Sequence, residues 1–189
     1  MPKAPKDPQK IHAAVTAACE ALLLNSAAQL ITSSREGAFI LTQLLDELVW
    51  KYSEATSLGC HKYLSCEWWS ENALEMFYRE GRNYVKYINL EHVVPRRYIV
   101  QQLLKSTNRE EIERAFKEVV TCVVLREEHR KLPEPQCIPN DASPEWWWQR
   151  YACVRRKRLN EPLKHSRIKK STNKRVSRDS GNLNLGGNR

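Results

Sequence analysis

Tyr84-Val85-Lys86-Tyr87-Ile88-Asn89-Leu90-Glu91-His92-Val93-Val94-Pro95 is the stretch on which the reading of this chain turns. Its first seven residues are apolar and β-prone, and Pro95 stops the chain from continuing as a regular strand. The run predicts a strand that gives way to a loop with a carboxylate and an imidazole side by side. Glu91 suits a hard divalent cation. His92, neutral near pH 7, suits a general base. Downstream, Cys122-Val123-Val124-Leu125-Arg126-Glu127-Glu128-His129-Arg130-Lys131-Leu132 predicts a second short strand entering a helix that carries another histidine.

Between the two strands the pattern is helical. Residues 97–104 are amphipathic and Lys105-Ser106 breaks them. Thr107-Asn108-Arg109-Glu110 matches a capping box, with Thr107 as N-cap and Glu110 at the third helical position. Ile112, Ala115, Phe116 and Val119 then form a buried stripe, and the β-branched residues 120–125 predict the strand.

On the N-terminal side, Ile11, Val15, Ala18, Leu22 and Leu23 predict a helix over 9–33. Ile40, Leu41, Leu44, Leu45, Leu48 and Tyr52 place one face of a second helix over 38–56. Together they suggest a helical hairpin for packing against the remainder or against a partner. His12 reads as a surface or cap-region histidine. A helix over 71–80 ends at Gly81, a suitable C-cap. Trp68 and Trp69 read as core aromatics, with base stacking as the rival role. On the C-terminal side, Pro133 closes the His129 helix and 133–141 is a proline-rich loop. Ser143-Pro144 starts a final helix that passes through Trp146-Trp147-Trp148 and turns basic at Arg155-Arg156-Lys157-Arg158. Beyond Asn160 the composition is Ser, Asn, Gly, Lys and Arg, which predicts a disordered basic tail.

Charge is unevenly placed. Of the formal net +9, residues from Arg155 onward contribute 12 Lys and Arg against 2 acids, and the preceding residues 19 against 20. A near-neutral body with a basic arm is an electrostatic footprint for nucleic acid. With no long apolar run and no recognisable signal peptide, the sequence predicts a cytoplasmic protein with no membrane partner. Its six cysteines then stay reduced. Cys60-His61 and Cys66 lack zinc-ligand pairing, so buried thiols are the preferred reading.

Glu91-His92-Val93-Val94-Pro95-Arg96, followed by Val123-Val124-Leu125-Arg126-Glu127-Glu128-His129, resembles a bacterial and phage branch of the HNH nucleases, also called His-Me finger or ββα-metal. The resemblance covers residues 83–132. It implies His92 as the base that takes a proton from water, and Glu91 and His129 as ligands of one divalent ion. Mg²⁺ is the first choice for that ion, with Mn²⁺, Ni²⁺ and Zn²⁺ as alternatives. Arg96, Arg97, Arg126 and Arg130 are candidate phosphate contacts, each with a rival reading as a surface ion pair. Arg155, Arg156, Lys157 and Arg158 join them as the start of the basic arm. Glu127 and Glu128 read as helix-dipole partners rather than ligands. The pattern departs from the family in two places. The middle Asn that orients the base has no clear counterpart, Thr121 and Cys122 lying nearest, and no CxxC zinc pair braces the fold.

The sequence thus predicts a mostly α, α+β protein. It has a helical N-terminal region (1–82), a ββα-metal core with a helical insertion and C-terminal helix (83–159), and a tail (160–189). The predicted function is a metal-dependent DNA endonuclease. The rivals are a non-catalytic nucleic-acid-binding protein on the same scaffold, and an adaptor that binds a partner or a second copy through its N-terminal helices.

Overall fold

The computed structural model describes residues 7–25, 31, 33–55, 63–64, 66–133, 144–159 and 163. Cys60-His61, the loop 134–143, Ser143 and nearly all of the tail lie outside them. The class is the expected one, α+β and mostly helical, around a four-stranded sheet.

The first helix, α1, runs Pro8–Leu23, and the second, α2, Arg35–Ala55. Asp7 caps α1 by accepting from the Gln9 backbone N–H, and Pro8 occupies the first helical position, where a missing N–H costs nothing. The buried line of α2 is Leu41, Leu45 and Val49, each at most 1% exposed. Burying such side chains stabilises by roughly 2 kcal/mol apiece. This line is narrower than the sequence predicted: Ile40 and Leu44 are exposed, as is Phe39. His12 is not a free surface residue. Its ring stacks on Tyr52 at 3.9 Å and its Nε2 lies 3.1 Å from the Tyr52 carbonyl, tying α1 to α2.

Strand β1, Trp68–Ser70, holds the two tryptophans in the sheet, an element that the sequence pattern does not predict. Ser70 ends it and caps α3, Glu71–Glu80, by accepting from the Ala73 N–H. Gly81 terminates α3 at φ 56°, a conformation glycine adopts without strain. Residues Gly81–Lys86 then form a 3₁₀ helix, so the predicted strand begins only at Ile88. Strand β2 is Ile88–His92, α4 is Arg96–Lys105 and α5 is Arg109–Lys117. The cap of α5 falls one residue later than predicted. Asn108 accepts from the Glu111 N–H, and the Glu111 carboxylate reaches back to the Thr107 N–H at 2.7 Å. Asparagine and a carboxylate three residues on serve as well as Thr107 and Glu110, and they carry the register.

Strand β3, Thr121–Leu125, leads directly into α6, Arg126–His129, a single turn. After Pro144–Trp148 (α7) and a 3₁₀ turn over Gln149–Tyr151, the chain does not continue as a helix. Arg156–Arg158 is instead strand β4. The sheet order is β2-β3-β1-β4, with β1 parallel to β3 and the other pairs antiparallel. The predicted boundary at residue 82 therefore runs through the sheet, because β1 is one of its central strands.

Alternation divides the sheet into two faces. Ile88, Leu90, Trp69 and Val123 belong to a core closed by α3, Tyr84 and Leu163. Trp68, Cys122 and Val124 face the larger core shared with α1, α2, α4, α5 and the Trp147–Tyr151 segment. Cys19, Cys66 and Cys122 are buried thiols, as expected, and Cys153 is exposed.

Candidate active site

Two elements deliver the acid and the imidazole. Strand β2 pairs Glu91 with Cys122 and His92 with Thr121 in β3, and the Val93 N–H extends the ladder to Val120 O at 2.9 Å. The single turn of α6 brings His129 back over the strand end. Its placement depends on Glu128, whose carboxylate accepts from the Leu125 N–H at 2.8 Å, from the Ser70 hydroxyl at 2.6 Å and from the Asn72 amide at 2.8 Å. Glu128 was predicted only to complement the helix dipole. It is the hub that joins α6 to α3.

The result is a contact between Glu91 and His129: Oε2 to Nε2 is 2.9 Å. His129 is half-exposed and Glu91 less so, and the pair opens toward solvent. Behind it lies Arg150, 8% exposed, which the sequence reading missed. Its Nη2 is 3.5 Å from Glu91 Oε1, its Nη1 donates to Val93 O at 3.2 Å, and its Nε donates to Pro133 O at 3.1 Å. In sequence it is one basic residue among Trp146, Trp147, Trp148 and Tyr151, with nothing local to single it out. Next to it the Tyr151 hydroxyl is buried with no hydrogen-bond partner among the described residues, and burial raises its pKa.

His92 does not join this pair, contrary to the side-by-side arrangement predicted. Neighbouring strand residues point to opposite faces, and His92 follows Glu91 directly. Its ring is 6% exposed and lies 5.6 Å from Trp50 of α2. Its Nε2 is buried without a hydrogen-bond partner among the described residues. Burial, with the nearby Arg96 charge, pushes its pKa down to about 4, so the ring is neutral at pH 7. Trp50 is itself held by Arg96, whose guanidinium lies 5.2 Å over the indole and 3.1 Å from Asp46. Neither predicted substitute for an orienting Asn bonds to the ring. Thr121 takes a hydrogen bond from the Cys66 thiol at its carbonyl, and Cys122 sits on the Glu91 face.

The arginines separate by position. Arg96 is engaged as above, and Arg97 lies over Tyr98 at 5.0 Å. Arg126 and Arg130 are exposed beside His129, with Arg130 Nε donating to Arg126 O. Arg155, Arg156, Lys157 and Arg158 are all exposed. Their strand conformation sorts them in a way a helix would not. Arg158 registers with Trp68, and Trp68 with Cys122, and Cys122 with Glu91. One sheet face therefore carries Glu91 at one edge and Arg156 and Arg158 at the other, about 14 Å away at the usual strand spacing. Lys157 belongs to the opposite face. Arg156 rests 4.7 Å over Trp148, Arg158 rests 5.8 Å over Trp68, and the two indoles are 4.7 Å apart.

No family model, no curated protein and no solved structure matches this chain.

Among the described residues no group of three or more His, Cys, Asp or Glu is arranged to hold a metal. Glu91 and His129 supply two donors, a carboxylate oxygen and an imidazole nitrogen, that hydrogen-bond to each other at 2.9 Å. Taken alone, two such donors beside the buried Arg150 guanidinium do not make a closed cation site. Among the described residues, no helix is long and apolar enough to cross a membrane.

Proposed function

We propose that this chain is a metal-dependent endonuclease that hydrolyses DNA phosphodiester bonds on an HNH-type strand–strand–helix unit. The observation that carries the reading is the meeting of Glu91, at the end of β2, with His129, at the end of α6, across a 2.9 Å gap. A divalent ion held by these two residues would supply charge neutralisation at a phosphate oxygen and at the leaving oxygen. His92 supplies the base. It is neutral at working pH, its Nε2 is uncommitted, and Trp50 must shift for water to reach it. Arg156 and Arg158, exposed on β4 and resting on Trp148 and Trp68, would contact phosphates beside the site, Arg158 by giving up its ion pair with Glu67 at 3.1 Å.

One observation favours a second reading. His92 is buried under Trp50 and has no hydrogen bond to Glu91 or His129 among the described residues, which suits a non-catalytic DNA-binding protein on the same scaffold. Supercoiled plasmid separates the two. The nuclease gives nicked or linear product with Mg²⁺ or Mn²⁺, and none with chelator, His92→Ala or Glu91→Gln. DNA retention without cleavage under any metal would select the binding protein.

A further inference from the structure

Strand β4 ends the sheet, and among the described residues it pairs with β1 alone. The direction of its free backbone groups follows from that ladder. Leu159 N–H donates to Glu67 O at 2.7 Å, and Glu71 N–H donates to Arg155 O at 2.8 Å. Hydrogen-bonded residues alternate along an antiparallel pair, so Arg155, Lys157 and Leu159 turn their backbone groups inward to β1. Arg156 and Arg158 turn theirs outward. Among the described residues nothing pairs with these N–H and C=O groups. The side chains add a pattern of charge. All of β4, Arg156, Lys157 and Arg158, is cationic and exposed. Arg156 and Arg158 stand on one face, over Trp148 and Trp68, and Lys157 stands on the other. Arg158 pairs with Glu67 at 3.1 Å, and that carboxylate is itself exposed.

An open edge with this charge disfavours two occupants from the chain itself. A second copy of β4 sets Arg and Lys against Arg and Lys, and like charges directly opposite each other destabilise a strand pair. The chain's own C-terminal arm is basic as well. Duplex DNA on the Arg156 and Arg158 face neutralises those two, but it leaves Lys157 and the outward carbonyls unanswered, because a phosphodiester has no hydrogen to donate. An extended acidic peptide answers all of them. Its backbone supplies donors and acceptors in the plane of the sheet, and its consecutive side chains alternate above and below that plane. We infer that β4 docks an acidic, extended segment of a partner protein, which adds a further strand to the sheet. The segment pairs its backbone with Arg156 and Arg158. It sets carboxylates against Arg156, Lys157 and Arg158, one of them taking the place of Glu67. Bound there, it excludes DNA from the two arginines. This docking does not require a catalytic centre at Glu91, so it stands or falls apart from the nuclease reading.

The test titrates the full chain into a fluorescein-labelled synthetic peptide, with consecutive glutamates between threonine and valine flanks, and follows fluorescence anisotropy. Saturable binding is expected. Lys157→Glu should weaken it about 5-fold, and Glu67→Gln, which frees Arg158, should tighten it about 2-fold. Both positions are exposed, so neither change disturbs the core. The deciding probe is the same peptide N-methylated at the residues that pair with Arg156 and Arg158. It keeps every charge and loses two hydrogen bonds, so its affinity should fall about 10-fold or more. Hydrogen exchange reports the direction of pairing. The peptide should slow exchange at the Arg156 and Arg158 N–H groups and leave Lys157, already bonded to β1, unchanged. Equal binding of the plain and N-methylated peptides would overturn the docking, because only charge attraction would remain. Failure of the plain peptide to bind would overturn it too. A DNA duplex that binds with the peptide's sensitivity to Lys157→Glu would assign the edge to nucleic acid instead.

Discussion

Acidifying the protein from pH 7.5 to 5.0 should destabilise it through His92. Burial in the pocket under Trp50, and secondarily the charge of Arg96, hold the ring's pKa near 4 in place of the ordinary 6.5. Below pH 6.5 the unfolded chain takes up a proton that the folded protein refuses, so stability rises with pH across this range. The stabilisation is complete above pH 6.5, declines as the pH falls from 6.5 to 4, and is fully lost below 4. The whole window corresponds to about 3 kcal/mol, of which about 2 kcal/mol disappears between pH 7.5 and 5.0. The ring is nearly inaccessible, so solvent screens little of this. Urea denaturation followed by tryptophan fluorescence, at both pH values, measures it. Wild type should lose about 2 kcal/mol more than His92→Gln. Equal losses in the two proteins would refute the reasoning. So would a proton magnetic resonance titration of His92 with a midpoint at or above 6.

Three further outcomes are expected. Trp50→Ala should move the His92 midpoint upward toward its ordinary value, read by the same titration, because the indole supplies part of the burial. Glu128→Ala should cost about 2 kcal/mol in urea denaturation, because it strands the Ser70 hydroxyl, the Asn72 amide and the Leu125 N–H at one point. If the exposed edge strand β4 receives DNA, Arg156→Glu with Arg158→Glu should weaken retention and flatten its dependence on salt concentration by about two phosphate contacts. Lys157→Glu, on the other face, should then do much less, a difference that fluorescence anisotropy at several salt concentrations resolves.

The elements whose signals are local were legible in the chain. The helices over α1, α2, α3, α4 and α5 follow from apolar spacing, and Gly81 marks its C-cap. Strands β2 and β3 follow from runs of β-branched residues, and the turn carrying His129 follows from β3. Local signals also misled. Residues Gly81–Lys86 contain the apolar Tyr84 and Val85 yet form a 3₁₀ helix, because Tyr84 is claimed by the core beside Phe77 at 4.9 Å. Arg155 to Arg158 continued a helical pattern in the sequence and form a strand because Trp68–Ser70 offers a free edge. A three-residue strand has too few positions to show alternation, so β1 left no trace in the pattern.

The same division holds for the site. By its residue types alone, the sequence determined that an acid and a histidine close one strand and that a second histidine follows the next. Which of them meet was decided by the tertiary structure. The two-residue period of β2 sends Glu91 and His92 to opposite faces, α6 returns His129 to Glu91, and α2 lays Trp50 over His92. Arg150 comes from 59 residues beyond Glu91. Its importance arises from being buried against two carbonyls and a carboxylate, a property of the packed chain that no local pattern encodes.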